Sequence, residues 1–118
     1  MSEILIYHNP RCSKSRETLA LLKAQGHEPT VIEYLKHAPT KEQLQEIVTL
    51  LGMESPRELM RTKEADYKAQ NLADETLSYD QLLDAMVTTP KLMERPVVLT
   101  NGKARIGRPP ESVLEILA

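Results

Sequence analysis

The sequence predicts an α/β fold in which a βαβ unit, a helical insertion and a ββα unit follow one another. Three observations predict it: short apolar strands near both ends of the chain, a helical period between the first two of them, and helix-start signatures throughout roughly residues 40–93.

Ile4-Leu5-Ile6, continuing to Tyr7, is apolar without alternation, which suits a strand covered on both faces. His8-Asn9-Pro10-Arg11 reads as a loop, and a helix follows from about Ser13 to Gln25. Leu19, Leu21 and Leu22 supply its apolar side, and Gly26 is placed to end it in a left-handed cap. Thr30-Val31-Ile32-Glu33-Tyr34 reads as a second strand, parallel to the first because a helix joins them, with a right-handed crossover.

In the middle of the chain Thr40 and Gln43 form a capping-box pattern, followed by Leu44, Ile47, Val48 and Leu51 at helical spacing and a stop at Gly52. Ser55-Pro56-Arg57-Glu58 repeats the start signature with proline at the first helical position, predicting a short helix that carries Leu59, Met60 and Arg61. Ser78 with Gln81 opens another, with Leu82, Leu83, Met86 and Val87 facing inward. From Pro96, Val97-Val98-Leu99 and Ala104-Arg105-Ile106 flank Asn101-Gly102, a pair suited to a type I′ hairpin turn. Pro110 can start a last helix in which Val113, Leu114 and Leu117 pack on the sheet. The sum is a mixed four-stranded sheet in the order of the thioredoxin-like architecture, with a helical insertion at about 40–93.

Composition narrows the function classes. With 118 residues and 41% hydrophobic content the chain can bury one ordinary core, and no composition break divides it, so residues 1–118 read as one domain. A single cysteine excludes an internal disulfide and, with no signal-like N-terminus, points to a reducing compartment, the cytoplasm. No apolar run approaches the ~20 residues of a membrane span. Fifteen Lys and Arg are mixed among seventeen Asp and Glu, and the aromatics are four Tyr with no Trp or Phe, a poor basis for nucleic-acid binding. A small ligand is expected.

Cys12 stands where the first loop meets the first helix. Unpartnered N–H groups and the helix dipole there favour thiolate over thiol, and Arg11, Lys14 and Arg16 lie within four residues, with His8 four residues before. The opposing reading, a cysteine buried as a small hydrophobe, fits apolar neighbours better than these polar and basic ones. Ser13 and Ser15 have two readings, as helix caps or as hydroxyls near the thiolate. Arg16 and Arg105 read as structural residues or as supports behind the site, Asn9 as a turn residue and Pro10 as a loop stiffener.

His8-Asn9-Pro10-Arg11-Cys12-Ser13-Lys14-Ser15-Arg16, Arg61, Glu94-Arg95-Pro96-Val97-Val98 and Arg105-Ile106-Gly107-Arg108-Pro109 together resemble the glutaredoxin-coupled arsenate reductases. The resemblance runs through nearly the whole chain. It implies that Cys12 is the catalytic nucleophile, that Arg61, Arg95 and Arg108 hold the oxyanion, and that His8 and Ser15 support the thiol. It further implies arsenate as substrate, glutathione as co-substrate, glutaredoxin as partner, no bound cofactor or metal, and a cis peptide between Arg95 and Pro96. Guanidinium groups suit this chemistry, because a permanent charge on a planar fork both offsets anion–anion repulsion and orients the oxyanion. A chain with one cysteine also needs an outside thiol to complete a reduction.

Two rivals share the fold. A Spx-type transcription regulator binding RNA polymerase commonly carries Cys-x-x-Cys at the helix start, where this chain has Ser15 as the second position. A monothiol glutaredoxin-like protein would suit Cys-x-x-Ser but has no use for the oxyanion arginines.

Overall fold

The computed structural model describes residues 3–117 and divides into two compact units. The first runs up to His37 and resumes at Arg95; the second is Ala38–Glu94.

The first unit holds the sheet. Strands β1 (Leu5–His8), β2 (Thr30–Glu33), β3 (Val97–Thr100) and β4 (Lys103–Ile106) are ordered β2-β1-β3-β4. β1 is parallel to β2 and antiparallel to β3, and β3 is antiparallel to β4, so the sheet is mixed as expected. This is the thioredoxin-like arrangement. Helix α1 (Ser13–Ala24) provides the crossover between the parallel strands, and a 3₁₀ helix over Pro110–Ile116 follows β4. Ile4, Ile6, Leu22, Val98, Val113 and Ile116 form the core, with Leu19 and Leu117 against it. At about 25 cal/mol per Å², each fully buried aliphatic side chain there contributes roughly 1.5–3 kcal/mol before entropy is counted.

Several expectations are refined here. The inward stripe of α1 includes Ser15 and Thr18, both fully buried, beside Leu19 and Leu22; Leu21 is only half-buried. The last helix is 3₁₀, not α, and its three-residue period turns Pro110, Val113 and Ile116 inward while Leu114 stays exposed. The hairpin turn has the expected chemistry. Asn101 and Gly102 stand at φ 54° and 68°, the paired positive values a type I′ turn requires. Asn101 also donates from Nδ2 to the carbonyl of Ile116, tying the turn to the end of the last helix.

The second unit is helical. α2 (Lys41–Leu50) and α4 (Tyr79–Thr88) each begin with the expected capping box, from Thr40 with Gln43 and from Ser78 with Gln81. Between them lie a 3₁₀ turn (Pro56–Leu59), capped by Ser55 with Glu58, and α3 (Ala65–Ala69); a second 3₁₀ turn (Pro90–Leu92) follows α4. Leu44, Ile47, Val48, Leu59, Leu82, Leu83, Met86 and Leu92 are buried. Val87 is exposed, a correction to the inward face expected for it. Met60 and Arg61 do not continue a helix: the chain turns extended at Met60, which bridges Met93 as an isolated antiparallel pair. Among the described residues no helix is long and apolar enough to cross a membrane.

Candidate active site

β1 delivers the chain to the loop His8–Arg11, and the loop is closed by its own hydrogen bonds. Asn9 Oδ1 accepts from the Arg11 N–H at 3.0 Å, and the Asn9 carbonyl accepts from the Cys12 N–H at 3.0 Å. Arg16 Nη1 donates to the Pro10 carbonyl at 3.0 Å, so this arginine braces the loop. Cys12 is thereby held at the N-cap of α1 with extended backbone (φ −97°, ψ 124°), and its side chain is half-buried.

The thiol makes no cap hydrogen bond of ordinary geometry, yet the first amides of the helix act on it. Burial is the largest single influence on Cys12 and opposes its charged form; the Ser15 N–H, the Arg95 charge, the Lys14 N–H and a hydrogen bond from Arg95 outweigh it. The net result is a thiol that titrates below its ordinary value, in the direction the sequence implies. The contributing charge differs from that expectation: it belongs to Arg95, brought in from before β3, while Lys14 Nζ pairs with Glu17 at 3.4 Å.

Arg108, exposed after β4, places Nη1 at 3.8 Å from Cys12 Sγ and at 3.2 Å from the Arg95 carbonyl, to which it donates. Arg95 precedes Pro96 through a cis peptide bond, as the resemblance implies; a second cis bond, Arg108–Pro109, had no counterpart in the sequence reading. Arg105 instead donates to the Ala104 carbonyl and lies 3.8 Å from Glu115 Oε1, in keeping with a structural role.

Behind the thiol, His8 and Ser15 are both buried. Ser15 Oγ accepts from the Asn9 N–H at 3.0 Å and lies 2.6 Å from His8 Nδ1. Burial holds the imidazole below its ordinary pKa against an opposing pull from Glu33, with Arg16 and Lys23 pushing it further down. The surroundings of His8 therefore favour the neutral imidazole. With a neutral ring the contact has two forms, the Ser15 O–H donating to Nδ1 or the Nδ1–H donating to Ser15 Oγ, according to the tautomer.

The structure thus brings Cys12, His8, Ser15, Arg95 and Arg108 together within the sheet unit. Arg61 belongs to the helical unit, where its N–H donates to the Leu92 carbonyl at 2.7 Å and Nη1 lies 3.5 Å from Glu64 Oε2. Glu64 in turn lies 3.9 Å from Lys91 Nζ, which pairs with Asp66 at 2.8 Å. Sequence reasoning gave no role to two residues beside the site, Thr18 and Gly107, the latter standing in the Arg105–Pro109 segment that carries the resemblance. Their signal was weak, a threonine in a helix and a glycine between Ile106 and Arg108, and their contact joins positions 89 apart in the chain.

A sheet of this topology with a lowered-pKa cysteine at its first helix N-terminus and arginines from the opposite end of the chain defines a thioredoxin-like thiol protein. The ArsC family model matches residues 7–116, and the chain belongs to the ArsC family. It is 61% identical over 115 residues to the protein YfgD of Escherichia coli (strain K12), covering 98% of this chain and 97% of that one. An arsenate reductase of Haemophilus influenzae is 49% identical over 114 residues, covering 97% of this chain and 98% of its own. Among solved structures, an arsenate reductase from Vibrio cholerae matches with a TM-score of 0.95 and 56% identity over 98% of both chains.

Proposed function

We propose that this protein is a cytoplasmic arsenate reductase in which Cys12 is the nucleophile and glutathione and glutaredoxin supply the electrons. One observation carries the reading: a half-buried thiol at a helix N-terminus, held toward its charged form, with Arg108 Nη1 at 3.8 Å and Arg95 beside it. Family membership and the arsenate reductases among its relatives support the choice of substrate. Arg61 is assigned to the oxyanion with Arg95 and Arg108 on the strength of the resemblance alone.

In the proposed cycle the Cys12 thiolate attacks arsenic(V), an oxygen leaves as water after protonation, and a sulfur–arsenic bond forms. The arginines offset the repulsion between thiolate and oxyanion and fix the arsenic in line with the sulfur. Glutathione thiolate then attacks the Cys12 sulfur; the sulfur–arsenic bond breaks with its electron pair going to arsenic, releasing arsenite and leaving a Cys12–glutathione disulfide. Glutaredoxin reduces that disulfide and returns the thiolate. His8 and Ser15 support Cys12 by holding the loop that presents it.

A coupled assay with arsenate, glutathione and glutaredoxin tests the reading. Reductant consumption in proportion to arsenate, abolished by Cys12→Ser, is expected. Arsenate-independent reduction of mixed disulfides would favour a monothiol glutaredoxin-like protein, and binding to RNA polymerase without turnover would favour a Spx-type regulator.

A further inference from the structure

We propose that Thr18, Gly107 and Pro96 form an interlock that sets Arg95 and Arg108 around Cys12, which makes Thr18 and Gly107 positioning residues of the site. Thr18 lies on α1, six positions after Cys12, and is fully buried. Its single hydroxyl proton is shared between two carbonyls, that of Lys14 at 2.8 Å and that of Gly107 at 3.3 Å. Gly107 is buried between the same helix and the start of β3, with its N–H donated to the Pro96 carbonyl at 2.9 Å.

The packing at Gly107 leaves no room for a side chain. A Cβ there would fall inside contact distance of Thr18 Oγ1, 2.8 Å from Pro96 Cγ and 3.0 Å from Thr18 Cγ2. The glycine is required by this close approach, not by its backbone angles. Its consequence for the site follows from the chain order: Arg95 is covalently next to Pro96, and Arg108 is next to Gly107. Both arginines therefore leave the same locked point, and Arg108 Nη1 reaches the Arg95 carbonyl and Cys12 Sγ from it. A shift of about 1 Å at such a point is enough to cost up to ~10²-fold in a reaction that depends on alignment.

The part of this inference that concerns arsenate rests on the reductase reading, whereas the part that concerns the thiol does not. Gly107→Ala and Thr18→Val are compared with the unaltered chain by three measurements: alkylation rate of Cys12 against pH, arsenate KM and kcat, and thermal midpoint. Gly107→Ala is expected to raise the alkylation midpoint and to raise arsenate KM on the order of tenfold, since it displaces the charges that act on the sulfur and its ligand. Adding Thr18→Ala removes two of the three crowding atoms and should return the midpoint part of the way. If Gly107→Ala fails to fold, Thr18→Val decides, because it replaces the shared hydroxyl by a methyl that cannot donate to either carbonyl and leaves Gly107 in place; a raised midpoint is expected of it. A folded Gly107→Ala with the unaltered alkylation midpoint, or a Thr18→Val that lowers thermal stability and moves nothing else, overturns the proposal. Absence of arsenate turnover in the unaltered chain would remove the reductase reading and leave the alkylation result to judge the interlock.

Discussion

Ser15 Oγ lies 2.6 Å from His8 Nδ1, and the same oxygen receives the Asn9 N–H, so one buried hydroxyl joins the end of β1, the thiol loop and α1. Ser15→Ala removes the hydrogen-bond partner that the His8 ring and the Asn9 amide share. A loss of about 1–3 kcal/mol is expected for buried polar groups deprived of a partner. Chemical denaturation of the variant measures it, and an unchanged midpoint would show that the hydroxyl is dispensable to the loop.

The titration of His8 gives a pH dependence of definite sign. Its folded pKa is below the unfolded one, so between the two values the unfolded chain binds a proton that the folded chain refuses. Stability is full above the ordinary imidazole pKa and falls as pH drops from there toward the folded value. His8→Gln should flatten this part of the curve of thermal midpoint against pH. If the two curves stay parallel, His8 carries no such linkage.

Cys12 is expected to be alkylated with a midpoint below that of an ordinary thiol, as the surrounding N–H groups and Arg95 require. Its folded pKa is depressed, so the stability it contributes relative to Cys12→Ser grows as pH rises from the folded to the unfolded value and is level above that. Arg95→Ala should move the alkylation midpoint upward. A midpoint at or above the ordinary value in the unaltered chain would remove the physical case for a nucleophile.

Replacing Arg61, Arg95 or Arg108 by Ala is expected to weaken arsenate-dependent catalysis by about 1–3 kcal/mol each, the scale of a lost charge-assisted hydrogen bond. Lysine should rescue only in part, since it restores charge without the two-pronged geometry. The split between KM and kcat measures the effect, and full rescue by lysine at all three positions would mean that charge alone suffices.

Arg57 offers a contrast within the helical unit. It donates from Nε to the Leu72 carbonyl at 3.0 Å and from Nη2 to the Asp74 carbonyl at 2.8 Å, pinning the segment between α3 and α4. Arg57→Ala should lower the unfolding free energy by roughly 1–3 kcal/mol. Arsenate KM measured at a temperature where the variant is fully folded should be unchanged, and a raised KM would bring Arg57 into the site.

The fold was legible wherever local chemistry decides structure. Thr40 with Gln43, Ser78 with Gln81 and Asn101-Gly102 act within four residues, and each does in the structure what its sequence implies. Leu114, expected to pack inward, is exposed and Ile116 is buried, because the hydrophobic pattern of a short segment does not distinguish a period of 3.0 from one of 3.6. Arg61 left its expected helix because a single 3₁₀ turn ends where Met60 finds a pairing partner in Met93, far along the chain. At the site, the placement of Cys12 could be read from its neighbours, but the roles of Arg95 and Arg108 came from resemblance. Nothing local in either segment says that the two arginines meet. The contact between Thr18 and Gly107 was hidden for the same reason, since it joins distant positions.

Because Cys12 is the only cysteine in the chain, every covalent state of its sulfur gives the intact molecule its own mass. Free thiol, alkylated thiol and glutathione disulfide can each be weighed without digestion and without deciding which residue was modified. The distribution of those masses during turnover, quenched by acid at successive times, would show directly which step of a thiol cycle accumulates.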